Sequence, residues 1–329
     1  MQKPLPSPAP PAPPLEFDDL LTFAAWLYYV DGLTQSDVAQ RLGVSRASVV
    51  NYLQDARTRG IVSIRLDPAA ASRIGLARRL AERFGLVAAH VIPSIAETAG
   101  SDAGRPDRRI GTAGARILAD MLKPGDTVGV AWGRTVLAAA RATVASEIKG
   151  LTIVQASGSS LSTDDFSPEL CTSLLANQLG ARCLNFHAPV VLSSRALRDQ
   201  LLAEPSLRRQ FEHIRAADII LFGVGDIGPG STFAASGMAD AAELAQLRKT
   251  EAIGIVIGRL IDAKGEAVAS DLDARIVGIS LAELKQVPVR LCLAGGAHKR
   301  SAIAAALSGG CATHFVTDAT TAEALLAGK

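Results

Sequence analysis

The sequence predicts an α/β protein in which a small helical domain precedes a doubly wound domain built on a mainly parallel sheet. Three observations carry that expectation. From Leu86 onward, short apolar runs alternate with helical stretches, which is how βαβ units read in sequence. Before Leu86, apolar residues recur at steps of three and four instead. Glycine is abundant, at 29 of 329 residues, while aromatics make up only 4%, a balance that suits tight strand-to-helix turns better than an all-β sandwich. With 48% apolar residues the chain can also bury the cores of two domains.

Residues 1–14 carry Pro4, Pro6, Pro8, Pro10, Pro11, Pro13 and Pro14. Proline fixes φ and removes a backbone donor, so this stretch reads as an extended, solvated tail. A proline-rich ligand for a partner domain is the alternative. A helical domain follows over 15–67. In 16–30, Leu20, Phe23, Leu27 and Val30 form a stripe for burial. Asp31-Gly32 ends that helix. Thr34 caps the next, QSDVAQRL, with Asp37 placed for a capping box, and Gly43 breaks it. Ser45 caps RASVVNYLQDARTRG, which ends with Arg57, Arg59 and Gly60, cations and a glycine where a helix C-terminus favours them. IVSIRLD (61–67) then reads as a short strand or wing.

A connector over 68–85 contains a basic amphipathic helix, 73–84, with Ile74, Ala77, Leu80, Ala81 and Phe84 on one face. The large domain, 86–329, offers strands at 86–92, 127–131, 151–156, 182–186, 218–224, 253–258, 289–294 and 313–316. Helices are expected at 107–122, 134–146, 168–179, 195–203, 206–216, 239–249, 297–308 and 319–327.

Several function classes fall away at this level. No apolar run reaches the ~18 residues of a membrane span. The N-terminus lacks the apolar stretch of a secretory signal. Cys171, Cys183, Cys292 and Cys311 are widely spaced without a CxxC, so neither a zinc site nor any other metal site is expected. Free thiols in a reducing cytoplasm are the plain reading. The formal net charge of +2 selects no partner.

The segment LTQSDVAQRLGVSRASVVNYLQDARTRGIV has the pattern of a helix-turn-helix. Val38, Ala39 and Leu42 pack inward, Gly43 takes the turn, Val44 plugs the core, and Val49, Val50 and Leu53 continue it. That leaves the start of the second helix facing outward, where such domains meet base edges in the major groove. The candidates for double-stranded DNA are Ser45, Arg46, Ala47, Ser48 and Asn51, with Gln35 and Tyr52 for the backbone. Arg46 suits a phosphate or a guanine, and Asn51 an adenine. Against this, residues 15–67 hold five basic and seven acidic residues, a poor balance for a free-standing DNA binder.

Three glycine-rich loops follow expected strands: GVAWGRT (129–135), GVGDIGPGST (223–232) and AGGAHK (294–299). Gly223, Gly225 and Gly228 formally fit GxGxxG, but Pro229-Gly230 prevent a helix from opening there, which argues against NAD. GxxxxGK[ST] is absent, so nucleotide hydrolysis is not expected, nor is any other cofactor. What remains is a cradle for a small anion. Gly133, Arg134 and Thr135 offer amides, a guanidinium and a hydroxyl at a helix start, and Lys299 offers a point charge. Glycines serving only tight turns are the alternative. The five histidines form no HxxxH or HExxH and no GxSxG is present, so no catalytic set is read. His298, beside Lys299, is placed to touch a ligand or to sit solvated.

The helix-turn-helix run AAWLYYVDGLTQSDVAQRLGVSRASVVNYLQDARTRGIV is followed in order by GDTVGVAWGRT, GVGD, IGRLIDAKGEAV, RIVGISLAELKQVP and LAGGAHKRSAIAAALSGG. Together, from about residue 20 to the end, these resemble the SorC family of sugar-responsive bacterial transcriptional regulators. The resemblance implies an effector domain of the sugar-phosphate isomerase and CoA-transferase type, assembly as dimers or tetramers, and an effector that is a phosphorylated sugar or polyol. It places Gly133, Arg134 and Thr135 in the phosphate loop, Gly225 and Asp226 over the sugar, and Lys299 on the ligand. Two positions depart from the family. Relatives commonly carry an acidic residue where Ile255 stands, which implies a less hydroxylated effector here. They often carry Arg where Asn51 stands, which implies a different operator. A sugar-phosphate isomerase or deaminase fused to a DNA-binding module is a second reading, and a constitutive DNA binder with an empty pocket a third.

Overall fold

The computed structural model describes residues 14–63, 67–94, 106–160, 167–228 and 231–328. The chain divides into two compact units, Met1–Pro68 and Ala69–Lys329.

The first unit holds three helices, α1 (Leu20–Tyr29), α2 (Gln35–Leu42) and α3 (Arg46–Thr58). Asp19 caps α1 by accepting from the Thr22 amide. At α2 the capping box forms as the spacing predicts: the Thr34 hydroxyl accepts from the Asp37 amide and the Asp37 carboxylate from the Thr34 amide. Gly43 sits at φ +64. Its amide and that of Val44 close back on Gln40 and Ala39 carbonyls, ending the helix in the left-handed turn that favours glycine. Leu21, Ala24, Ala25, Leu27, Val38, Ala39, Leu42, Val49, Leu53 and Ala56 form the core.

Two expected core residues lie outside it. Val30 is 60% exposed, because α1 ends at Tyr29; Leu27 is buried as expected, and the rest of the buried stripe runs through Leu21, Ala24 and Ala25. Val50 is 40% exposed, one helical step off the Val49–Leu53 stripe. No strand begins at 61–63: the Ile61 and Val62 amides both turn back onto the Ala56 carbonyl, at 2.9 and 3.2 Å. The rest of the expected wing, at 64–66, lies outside the described residues.

The second unit opens with α4 (Pro68–Phe84), whose buried residues are Leu76 and Leu80, while Ile74 is exposed. Then follow β1 (Ala88–Ile92), α5 (Pro106–Met121), β2 (Thr127–Val130), α6 (Arg134–Ala142), β3 (Thr152–Gln155), α7 (Pro168–Gln178), β4 (Arg182–Leu184), α8 (Arg195–Ala203) and α9 (Pro205–Arg215). The chain continues through β5 (Ile219–Phe222), β6 (Val224–Gly225), α10 (Thr232–Ala235), α11 (Ala241–Leu247), β7 (Gly254–Val256) and β8 (Arg259–Ile261). It ends with α12 (Asp271–Arg275), α13 (Leu281–Leu284), β9 (Val289–Leu293), α14 (Arg300–Ser308), β10 (His314–Asp318) and α15 (Ala319–Ala327).

Seven strands form one sheet in the order β1-β10-β9-β5-β2-β3-β4, and every pairing is parallel. Both faces are buried, so alternate residues of one strand serve different cores. Ile219 and Leu221 join α5, α6 and α7 on one face. Ile220 and Phe222 join α4, α9, α14 and α15 on the other. That double burial is why the strands read as continuous apolar runs.

Strands β2, β3 and β4 step towards one edge, while β5, β9 and β10 step towards the other. The direction reverses between β2 and β5, and ligands of open α/β sheets bind at the C-terminal ends of strands at such a switch point.

Three strands, β6, β7 and β8, form a second, antiparallel sheet. The expected strand 218–224 therefore splits at Gly223: its first part stays in the large sheet and Val224–Gly225 leaves to pair with β7. β8 is absent from the expectations because its hairpin turns on Ile257-Gly258, without the Asn-Gly or Asp-Gly signal.

Candidate functional site

Two places gather the predicted residues. The first is the start of α3. Ser45 accepts from the Ser48 amide at 3.0 Å, and the two hydroxyls are 2.9 Å apart. That cap fixes the first turn and leaves Arg46, Ala47 and Asn51 exposed. Arg46 Nε donates to Gln35 Oε1 at 3.4 Å, linking the first turns of α2 and α3. Tyr52 is half-buried and packs partly against the core.

The second is a cleft at the switch point. β9, β5 and β2 are consecutive in the sheet, so the three glycine-rich loops meet at their C-terminal ends. Gly133 precedes α6 at φ +127, where a Cβ would meet nothing within 4 Å, so backbone conformation rather than space demands glycine. Neither α6 nor α14 has a side-chain cap. The uncapped first turn of α6 faces the site and is favourable to negative charge, whereas α14 is preceded directly by a 3-10 turn, Ala297–Lys299, with the Lys299 and Arg300 amides already donating to the Gly296 and Ala297 carbonyls.

The cleft has two lobes that share Arg134, Thr135, Thr232 and Lys299. One lobe, about 60 Å³, is lined by Trp132, Val136, Val224, Phe233, Ile255 and Ile257 together with those shared residues and Gly133 and Gly225. The other, about 190 Å³, adds Asp107, Asp226, Ser231 and His298. All seven residues predicted for the effector line one lobe or both. Gly225 and Ile255 are direct partners in the β6–β7 ladder.

Burial pushes the Lys299 ammonium below its ordinary value of 10.5; Asp226 and Asp107 oppose that shift and Arg134 reinforces it. Asp226 Oδ1 is buried with no hydrogen-bond partner, which leaves an acceptor with unmet capacity beside that cation.

Sequence reasoning missed Trp132, Thr232, Phe233 and Ile257. Trp132 and Thr232 stand inside the 129–135 and 223–232 loops already singled out, and Ile257 is followed by a glycine between two short apolar runs; Phe233 carried no such signal. Ile257 is the one non-glycine residue with positive φ, +48, among the described residues. A β-branched residue is rare there, and the left-handed conformation costs about 1–2 kcal/mol. Arg259, two residues on, holds the hairpin in place: its guanidinium donates to the carbonyls of Ile279, Asp273 and Gly278 at 2.7–3.0 Å. Such over-determination lets local strain persist.

Comparison with known proteins agrees with this architecture. The family described as "Putative sugar-binding domain" matches residues 69–327. The uncharacterised transcriptional regulator YjhU of Escherichia coli (strain K12) is 36% identical over 316 residues, covering 94% of this chain and 95% of that protein. The crystal structure of the full-length sorbitol operon regulator SorC from Klebsiella pneumoniae superposes with a TM-score of 0.71 at 26% identity, covering 93% of this chain and 98% of that one. The chain belongs to the SorC family of transcriptional regulators.

The resemblance drawn from the loop motifs is thereby borne out. The deoxyribonucleoside regulator of Bacillus subtilis (strain 168) is similar along almost the whole length as well, 30% identical over 305 residues. This SorC-family protein is a transcriptional regulator in which a helix-turn-helix precedes an α/β domain of the sugar-binding type. Among the described residues no helix is long and apolar enough to cross a membrane, and no cluster of His, Cys, Asp or Glu could hold a metal ion.

Proposed function

We propose that residues 15–67 bind double-stranded operator DNA and that 86–329 bind the controlling effector, a phosphorylated sugar or polyol, with 68–85 connecting them. Ser45, Arg46, Ala47, Ser48 and Asn51 enter the major groove, with Gln35 and Tyr52 on the flanking backbone. Gly133, Arg134, Thr135 and Lys299 take the phosphate, and Gly225, Asp226 and Ile255 border the carbon skeleton. The protein works as a homo-oligomer, dimer or tetramer, in the bacterial cytoplasm. Two recognition helices then span half-sites one DNA turn apart, about 34 Å.

One observation carries this reading. A guanidinium, an ammonium, a hydroxyl and the uncapped start of α6 converge on one cleft, which is the chemistry of phosphate recognition. The effector controls transcription through its differential affinity for two arrangements of the oligomer. A coupling of about 1–3 kcal/mol changes operator affinity about 5–150-fold.

The test is a thermal-shift screen against sugar and polyol phosphates, with binding to the protein's own upstream DNA measured beside each hit. A phosphorylated hit that loses affinity in Arg134→Ala and alters DNA binding supports the reading. DNA binding that no phosphate changes refutes it. The carboxylate of Asp226 beside Lys299 favours one further reading, turnover of a sugar phosphate, which a product assay on the same hits decides.

A further inference from the structure

The two lobes of the cleft differ in chemistry. Trp132 aside, every polar side chain of the smaller lobe is one it shares with the larger: Arg134, Thr135, Thr232 and Lys299. These four therefore mark the junction. Beyond them the smaller lobe is walled by Val136, Val224, Phe233, Ile255 and Ile257, and the last four of these are at most 6% exposed. A hydroxyl pushed against these five side chains gives up its water and finds no partner among them, whereas a methylene gains from burial. The wall is also held against its backbone preference, since Ile257 keeps a β-branched side chain there at φ +48.

We propose that this lobe selects effectors whose anionic headgroup, seated at the junction, is joined to a short deoxygenated carbon segment. The effector class is an alkyl or deoxy organophosphate in preference to its fully hydroxylated counterpart. The lobe is small, about 60 Å³ against about 190 Å³ for its neighbour, so it suits a segment of a few carbon atoms rather than a long chain. The inference rests on the anion-binding reading of the same cleft and adds to it the character of what the anion carries.

The experiment is isothermal titration of the full-length protein with inorganic phosphate, glycerol 3-phosphate and propyl phosphate. The last two share a three-carbon chain and differ by two hydroxyls. A series from methyl to hexyl phosphate accompanies them. Propyl phosphate is expected to bind at least about tenfold more tightly than glycerol 3-phosphate. Affinity is expected to rise about fourfold per methylene, which corresponds to about 0.8 kcal/mol, and to stop rising beyond butyl.

Equal or reversed affinities for the propyl and glycerol compounds, both exceeding that of inorganic phosphate, overturn the apolar selection and leave the anion site standing. Failure of all probes, inorganic phosphate included, overturns the anion site itself. Ile255→Asn, checked for an unchanged circular dichroism spectrum, is expected to shift the ratio towards glycerol 3-phosphate. The wild-type ligand pair decides the matter even where that variant does not fold.

Discussion

Arg46 and Gln35 stand eleven positions apart in sequence, yet the Arg46 guanidinium donates to the Gln35 amide oxygen at 3.4 Å. The bond joins the first turns of two helices and holds an exposed cation at the point where a helix-turn-helix meets DNA. Long planar side chains lose rotamer freedom on binding, so a partner that pre-orients Arg46 lowers that cost. Arg46→Ala is expected to weaken operator binding by about 1–3 kcal/mol and relax specificity at one base if it reads guanine. If it meets phosphate, the loss is uniform across sequences and the salt slope falls by about 0.9. Gln35→Ala is expected to weaken binding less. A double-mutant cycle measured by fluorescence anisotropy should show coupling above about 0.5 kcal/mol.

Ser45 separates folding from recognition. Its hydroxyl accepts from the Ser48 amide at 3.0 Å, so Ser45→Ala should cost about 1 kcal/mol of helix stability. Ser45→Asp keeps the cap and adds a charge the helix dipole favours. It should therefore melt no lower than wild type and, if Ser45 lies against DNA as proposed, bind DNA more weakly, because the same carboxylate would then face phosphates. Thermal melts alongside anisotropy check both halves.

The legible parts of this molecule were those governed by local rules. Thr34 with Asp37, Gly43, and Ser45 with Ser48 each close a bond within about one turn of chain, so the helix boundaries followed from residue types. The βα alternation likewise revealed the parallel sheet. What sequence alone did not convey depends on distant partners. Val224–Gly225 leaves the large sheet to pair with Gly254–Val256, some thirty residues on. The turn at Ile257 violates residue preference, and Arg259, bonded to carbonyls from 273 to 279, holds it. Phe233 enters the cleft on the short helix Thr232–Ala235, and Trp132 stands in the 129–135 loop, whose glycines pointed to the cleft without singling out the indole.

The ionisation of Lys299 would give the proposed effector site a pH signature. Burial holds its pKa below 10.5 in the free protein. A bound anion favours the charged form and raises that pKa. The complex then carries more protons than the free protein between the two values. Anion affinity is therefore expected to fall as pH rises through that window, with proton uptake visible as buffer-dependent heats in titration calorimetry. Lys299→Met should bind more weakly and lose the dependence. The free protein shows the opposite trend: its unfolded form holds the proton more strongly, so the contribution of Lys299 to stability rises with pH over the lowered range up to 10.5.

Gly111 offers a test of how the helical layer holds the cleft. A Cβ at this position of α5 would lie 2.6 Å from Ala138 Cβ and 2.8 Å from both the Thr135 carbonyl oxygen and the Ala139 nitrogen. Two of those neighbours are backbone and cannot rotate away, so α5 and α6 must separate. Overpacking of this kind costs about 1–3 kcal/mol. Thr135 belongs to the first turn of α6, which carries the amides and side chains at the cleft junction. Gly111→Ala is thus expected to lower the melting temperature and also to weaken phosphate binding, although residue 111 lines neither lobe. Gly75→Ala supplies the contrast. It lies inside α4 with nothing within 4 Å of the added methyl, so it should raise stability by about 0.4–1 kcal/mol through lost unfolded-state freedom. Phosphate affinity should not change with it. Calorimetric melts and titrations on both variants separate a helix that positions the anion site from one that merely covers the sheet: unaltered affinity in Gly111→Ala would mean the latter.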